Sequence, residues 1–176
     1  MRNSFKLFGL AAAASIAIVP VTALAGGPKG NLVAAAMTSP DHKTLVAAVK
    51  AAGLVDTLAS KGPFTVFAPT DAAFAKLPAG TVDTLLQPAN REQLRAVLTY
   101  HVVSGKVTSA ELIETIRKSG GKASLKTVQG GALTAKLSGS SVVITDAKGG
   151  TARVTNTDLV QSNGVIHVTD AVSLPM

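Results

Sequence analysis

Gly62-Pro63-Phe64-Thr65-Val66-Phe67-Ala68-Pro69-Thr70-Asp71-Ala72-Ala73-Phe74 reads as a strand, a break and a capped helical turn in one run. Phe64 to Ala68 is short, apolar and rich in residues that suit a pleated, buried surface. Pro69 ends it. Thr70 or Asp71 then offers an oxygen to the first N–H groups of a helical turn carrying Phe74 and Leu77. A second run, Asn163-Gly164-Val165-Ile166-His167-Val168-Thr169-Asp170-Ala171-Val172-Ser173-Leu174-Pro175, opens on a turn dipeptide and continues as a strand. Ile166 and Val168 fall on one face of it, Val165, His167 and Thr169 on the other. Between the two runs, Tyr100-His101-Val102-Val103 crosses from a helix into a strand.

Working outward, the residues before position 120 carry helix signals. Asn31 can cap a helix over Leu32, Val33, Ala36 and Met37. Ser39-Pro40-Asp41 reads as a helix start with Ser39 as N-cap, and Gly53 closes that helix behind Leu45, Ala48, Val49 and Ala52. Leu54, Val55 and Leu58 add one more turn. Thr81 and Asn90 can open two further helices, and Thr108-Ser109-Ala110-Glu111 is a capping box. From Ala123 the apolar period changes to two. Ser124–Val128, Ala132–Leu137, Val142–Thr145, Ala152–Thr155 and Val165–Val172 are the expected strands, separated by Gly-rich turns. The chain therefore reads as one α+β domain, its N-terminal half helical and its C-terminal half strand-rich.

The first 25 residues read as an export address. Arg2 and Lys6 precede an apolar run from Leu7 to Val21, and Ala23-Leu24-Ala25 is a small-x-small cleavage site. The expectation is a signal peptide over 1–25, a flexible lead over 26–30 and a folded domain over 31–175. No stable membrane span is expected once the signal is cleaved, and no anchor is visible after Val172. Arg2 and Lys6 account for part of the formal charge of +7, and the remaining Lys and Arg are scattered. With aromatics at 3%, this argues against a nucleic-acid partner. With no Cys, the chain has no disulfides and no thiolate chemistry, so its core alone must hold it together.

The run Gly62–Phe74 resembles the first signature of the fasciclin domain family, and Asn163–Pro175 resembles the second. Tyr100-His101-Val102-Val103 is similar to the family's Tyr-His segment, and the order of the three segments matches. The resemblance spans roughly Gly30 to Pro175. It implies a wedge-like, antiparallel-rich β-sheet assembly with short helices packed around it, in which the two signatures lie together in the core. The residues carrying it are Phe64, Val66, Phe67, Pro69, Thr70, Asp71 and Phe74 in the first signature, and Asn163, Gly164, Ile166, His167, Val168 and Asp170 in the second.

The resemblance implies a non-catalytic binding module, exported to a periplasm or beyond the cell. Its expected partner is a cell-surface or matrix protein or a polysaccharide. Tyr100 and His101 are the residues to which the family's Tyr-His segment assigns partner contact. Both also suit a structural part: a half-buried ring with a bonded hydroxyl, and an imidazole bonded to backbone. The alternative ligand is an apolar, carotenoid-like small molecule, since some fasciclin-domain proteins carry carotenoids. No cofactor is otherwise expected. Gly-x-Ser-x-Gly, Gly-x-Gly-x-x-Gly and the phosphate-binding Gly-x-x-x-x-Gly-Lys-Ser/Thr loop are all missing from the sequence. The three His show no i, i+4 pairing of the kind that ligates zinc. Asp71 is expected to cap its own helix, and His42 to sit exposed at a helix start.

Overall fold

The computed structural model describes residues 30–176; the expected signal peptide and most of the lead lie outside them. The chain begins with three helices, α1 (Leu32–Thr38), α2 (Lys43–Ala52) and α3 (Val55–Ala59). Strand β1 (Phe64–Pro69) follows, then α4 (Asp71–Ala75), α5 (Thr81–Leu86), a short 3-10 turn (Pro88–Asn90) and α6 (Arg91–Tyr100). Strand β2 (Val102–Ser104) and α7 (Ser109–Lys118) lead into β3 (Lys122–Lys126), β4 (Ala132–Ser138), β5 (Ser141–Thr145), β6 (Thr151–Gln161) and β7 (Gly164–Thr169).

The strands form one seven-stranded sheet in the order β2-β1-β7-β6-β5-β4-β3. Its centre is the parallel pair β1–β7, with Val66 opposite Ile166 and Phe67 opposite His167. Every other pairing is antiparallel. Two register shifts between Val154 and Leu159 bend β6, so that it belongs to both halves of the sheet. At the far ends, Val103 of β2 bridges Thr127 just beyond β3. The result is a wedge folded back until its outermost strands touch.

A strand pair in mid-sheet must bury both faces, and β7 is buried along its whole length. Val66, Ala68 and Ile166 join a cluster with Leu45, Ala48, Ala52, Leu94 and Leu98 from the helices. Phe67 joins the second cluster, with Tyr100, Leu112, Ile116, Leu133, Ala135 and Ile144. The buried alanines of α2 let that helix lie close to its neighbours.

Local signals gave the right caps for α1, α7 and the end of α2, but Asn90 precedes α6 without a capping bond, its Nδ2 donating to the Thr84 carbonyl at 2.8 Å instead. Asn31 Oδ1 accepts from the Ala34 N–H at 2.8 Å. Thr108 and Glu111 form a full capping box on α7. Gly53 closes α2 at a φ of 67°, a region that glycine enters without strain. Elsewhere tertiary structure decided. Helix α2 starts at Lys43, not at Pro40, and Ser39 ends α1 instead of capping α2. Gly80, not Thr81, precedes α5. Strand β6 runs on through the polar stretch to Gln161, beyond the expected Ala152–Thr155, because β7 pairs with it there.

Candidate functional site

The two signatures meet at Asn163. Its Oδ1 accepts from the Leu32 N–H at the start of α1, at 2.9 Å. Its Nδ2 donates to the carbonyls of Leu58 and Ser60 at 2.7 and 2.8 Å, satisfying the end of α3. Its own carbonyl accepts from the Phe64 N–H at 3.1 Å. One residue thus ties α1 and α3 through its side chain, and β1 through its backbone, to the β6–β7 turn. Gly164 is required next to it: a Cβ there would run into the Phe64 carbonyl of the paired strand.

Asp71 caps a helix, but not its own. Thr70 Oγ1 accepts from the Ala73 N–H and caps α4. The Asp71 carboxylate instead reaches α2, where Oδ1 accepts from the Thr44 N–H at 2.7 Å. Burial alone would raise this carboxyl's pKa. The N–H and hydroxyl of Thr44 and the Lys43 N–H outweigh it and hold the pKa below the ordinary range. Asp158 does the same for α7. It sits at a φ of 59° in the bent part of β6 and accepts from the N–H of Ser109 at 2.7 Å and from its hydroxyl. Those bonds likewise overcome burial and lower its pKa. The Asp158 N–H meets His167 Nδ1, and His167 Nε2–H donates to the Val107 carbonyl at 2.8 Å. The His167 ring stacks on Phe67 at 5.5 Å between centroids. Asp170 accepts from the Arg153 N–H at 2.8 Å, and its carbonyl accepts from Lys76. Of the remaining signature residues, Phe74, Val168 and Pro69 are buried and Phe64 packs against the first cluster.

Tyr100 and His101 are 1% and 3% exposed, and His101 lies in the wall of the apolar cleft on the helical side. The expectation of partner contact through these two side chains meets a packed interior. The Tyr100 hydroxyl donates to the Ala132 carbonyl at 2.9 Å and accepts from the Ala147 N–H. Burial pushes its phenol above the usual range. His101 Nε2 accepts from the Ser173 N–H at 2.9 Å, so the ring proton is on Nδ1, which donates to the Val97 carbonyl at 2.8 Å. Burial holds this imidazole below its ordinary pKa, against the opposing pull of Val97 and Asp146.

The open region lies on the helical side. A narrow cleft of about 40 Å³ runs between α1, α2 and the sheet. It is walled almost entirely by carbon, from Leu32, Val33, Ala36, Val46, Val49, Val66 and Ile166 among others, and Lys50 lies at its rim. A second lobe, also of about 40 Å³, shares Ala36, Ala68 and Ile166 with it and adds Ala35, Ser39, His42 and Leu159. Met37 and Leu159 are 46% and 43% exposed beside it. His42, expected at the surface, is 6% exposed. A separate, open hollow beside the signature crossing is polar, with Asn31, Lys61, Lys106, Gln161 and Ser162 in its walls. Sequence reasoning missed Asp158 and His42. The partner of Asp158 lies 49 residues away, so no local pattern marks it.

A parallel strand pair bracketed by these signatures, bent through β6 and roofed by short helices, defines a fasciclin fold. The chain belongs to the fasciclin domain family, whose model matches residues 40–175. It is 51% identical to protein sll1483 of Synechocystis over 145 residues, 82% of this chain and 73% of that one. It is 36% identical to the immunogenic protein MPB70 of Mycobacterium bovis over 155 residues, 85% of this chain and 72% of that one. Its fold matches a fasciclin domain pair from the insect cell adhesion molecule Fasciclin I, with a TM-score of 0.72 and 20% identity. That match covers 82% of this chain and 51% of the other. Fasciclin domains are generally non-catalytic binding modules.

Proposed function

We propose that this chain is an exported, non-catalytic binding module that takes an apolar small molecule into the cleft beneath α1. The apolar cleft itself carries the reading. Ligand sites are concave and mostly carbon-lined, with few polar groups, and this cleft has that character. Helix α1 is the movable wall. It has seven residues and buries only Leu32 and Val33, so it can lift to admit a ligand the narrow resting cleft would not hold. A carotenoid-like molecule would lie with one end under α1 and the rest across Met37 and Leu159.

The test is recovery of the protein from its exporting cell, followed by solvent extraction and mass spectrometry. An apolar compound should copurify with the wild-type chain and be lost from Ala36→Trp, which fills the cleft, while the variant still folds. Wild-type protein free of any such compound, and unable to take one up from detergent, would defeat the reading.

A second reading is contact with a matrix or cell-surface protein or a polysaccharide. The polar hollow by the signature crossing supports it, with Lys61 and Lys106 on its rim, as does the likeness to a cell adhesion molecule. Charge reversal of both lysines should weaken attachment to cells or matrix without changing the melting temperature. Unchanged attachment would remove this surface from consideration.

A further inference from the structure

We infer that the molecule held beneath α1 carries one uncharged hydrogen-bonding group, a hydroxyl or a carbonyl, on an otherwise apolar body, and that His42 Nε2 anchors it. The inference rests on the cleft reading above and adds the chemistry of the head group. The His42 ring lines the second lobe and is 6% exposed. Its Nδ1 is engaged by Ser39 Oγ at 2.6 Å. Its Nε2 is buried and has no hydrogen-bond partner among the described residues. Buried polar atoms are normally paired, so an orphan nitrogen on a ring that lines an otherwise largely carbon-lined lobe needs an explanation. His101 and His167 show the ordinary case, with both ring nitrogens bonded.

The geometry selects the head group. Besides His42 and Ser39, the lobe is lined by Ala35, Ala36, Ala68, Leu159 and Ile166, and none of their side chains can hydrogen-bond. Ser39 Oγ is already paired with Nδ1, and His42 Nε2 is the buried side-chain nitrogen without a partner among the described residues. No charged side chain lines this lobe, so a carboxylate or ammonium head would lose its hydration without a counter-charge. The Ser39–His42 pair serves either neutral class. With the serine hydroxyl donating to Nδ1, Nε2 carries the proton and meets a carbonyl. With Nδ1–H donating to Ser39 Oγ, Nε2 is bare and accepts from a hydroxyl.

A matched pair of probes tests this on the full-length mature protein: 2-naphthol and naphthalene, which differ by one hydroxyl. Binding is followed by NMR through the methyl groups of Ala36 and Ala68 and through the ¹⁵N shift of His42 Nε2. A cleft without a polar anchor favours naphthalene, the less hydrated probe. We expect 2-naphthol to bind about tenfold more tightly, the worth of one well-made hydrogen bond, and Nε2 to shift with 2-naphthol alone. His42→Phe keeps an apolar ring and should bring the two affinities within about twofold of each other. Equal binding of both probes to the wild type, with the alanine methyls shifting and Nε2 still, overturns the anchor and leaves the cleft reading intact. A 2-naphthol preference that survives in His42→Phe also overturns the anchor. Binding of neither probe overturns the anchor and the cleft reading together. If His42→Phe does not fold, the wild-type probe pair and the Nε2 shift decide alone.

Discussion

Residues along β1 and β7 look alternately into two unlike interiors. Phe67 and His167 face the strand-rich side, where Leu133 and Ala135 are fully enclosed and His167 has both nitrogens bonded. Val66, Ala68 and Ile166 face the helical side, where the same sheet forms the floor of a cleft and His42 Nε2 has no partner among the described residues. One face is finished by its own chain. The other is roofed by a seven-residue helix fastened largely through Asn31, Asn163 and two apolar side chains. The proposed binding capacity belongs to the side where packing is incomplete, with the signature residues Val66 and Ile166 as part of its floor.

This contrast can be broken by mutation. Leu133→Ala, on the closed side, should cost about 4–5 kcal/mol, because the rigid surroundings cannot collapse into the void. Leu45→Ala, beside the cleft, should cost only about 2–3 kcal/mol, because α1 and α2 can settle inward. Equal losses in urea unfolding would mean that the two faces are equally well packed. Asn163→Ala removes three side-chain bonds at the join between helices and sheet, and should cost about 3 kcal/mol. Loss of only a few tenths would show that the join is held by β1–β7 pairing alone.

Asp71→Ala should cost about 1–2 kcal/mol and Asp71→Asn less, since the amide still offers an oxygen. Hydrogen exchange should place the damage at the Thr44 amide on α2 and leave α4 unchanged. Faster exchange at Ala73 instead would restore Asp71 to its own helix.

His101 supplies a pH test. Its native pKa lies below the ordinary 6.5, so the unfolded chain takes up this proton first as pH falls. Stability is fully present above about 6.5 and declines below it, toward the lowered native value. His101→Gln should flatten the part of the pH profile between those points. A wild-type profile that is flat there contradicts the buried, backbone-bonded ring. The smallest stability effect belongs at the cleft mouth. Met37→Ser with Leu159→Ser should shift unfolding by no more than about 0.5 kcal/mol, yet weaken ligand retention. A large stability loss would show that these side chains complete the core.

The sequence made legible much of what is local, though not the starts of α2 and α5. The period change near Ala123, the Thr108–Glu111 box, the Gly53 stop and the opposed phases of Ile166 and His167 all depend on neighbours a few residues apart, and all appear in the structure. Family resemblance supplied the meeting of the two signatures. What escaped were contacts made across the chain. Asp71 serves a helix 27 residues earlier, because the β1–α4 corner lies against the start of α2. The second half of β6 is polar and bulged, so no period of two marks it, and only β7 makes it a strand. His42 looked exposed because a histidine next to a Pro-Asp turn carries no sign of what will cover it. The cleft was illegible for the same reason: alanine, valine and leucine line a groove and fill a core alike.

The parallel pairing of β1 with β7 has a further consequence for the order of events in making this protein. Phe64 pairs with Gly164, and Val66 with Ile166, roughly a hundred residues downstream. Any fragment that stops before Gly164 has β1 on one side and β3–β6 on the other, with nothing between them. Contacts of such high sequence separation form late and slowly. The helical segments can flicker into existence as they are synthesised, but the sheet cannot assemble around its missing middle until nearly the whole chain is available. A nascent chain of this protein therefore cannot complete its sheet until β7 has been made. Moving β7 to the N-terminus by circular permutation would let the centre form early, and should speed refolding.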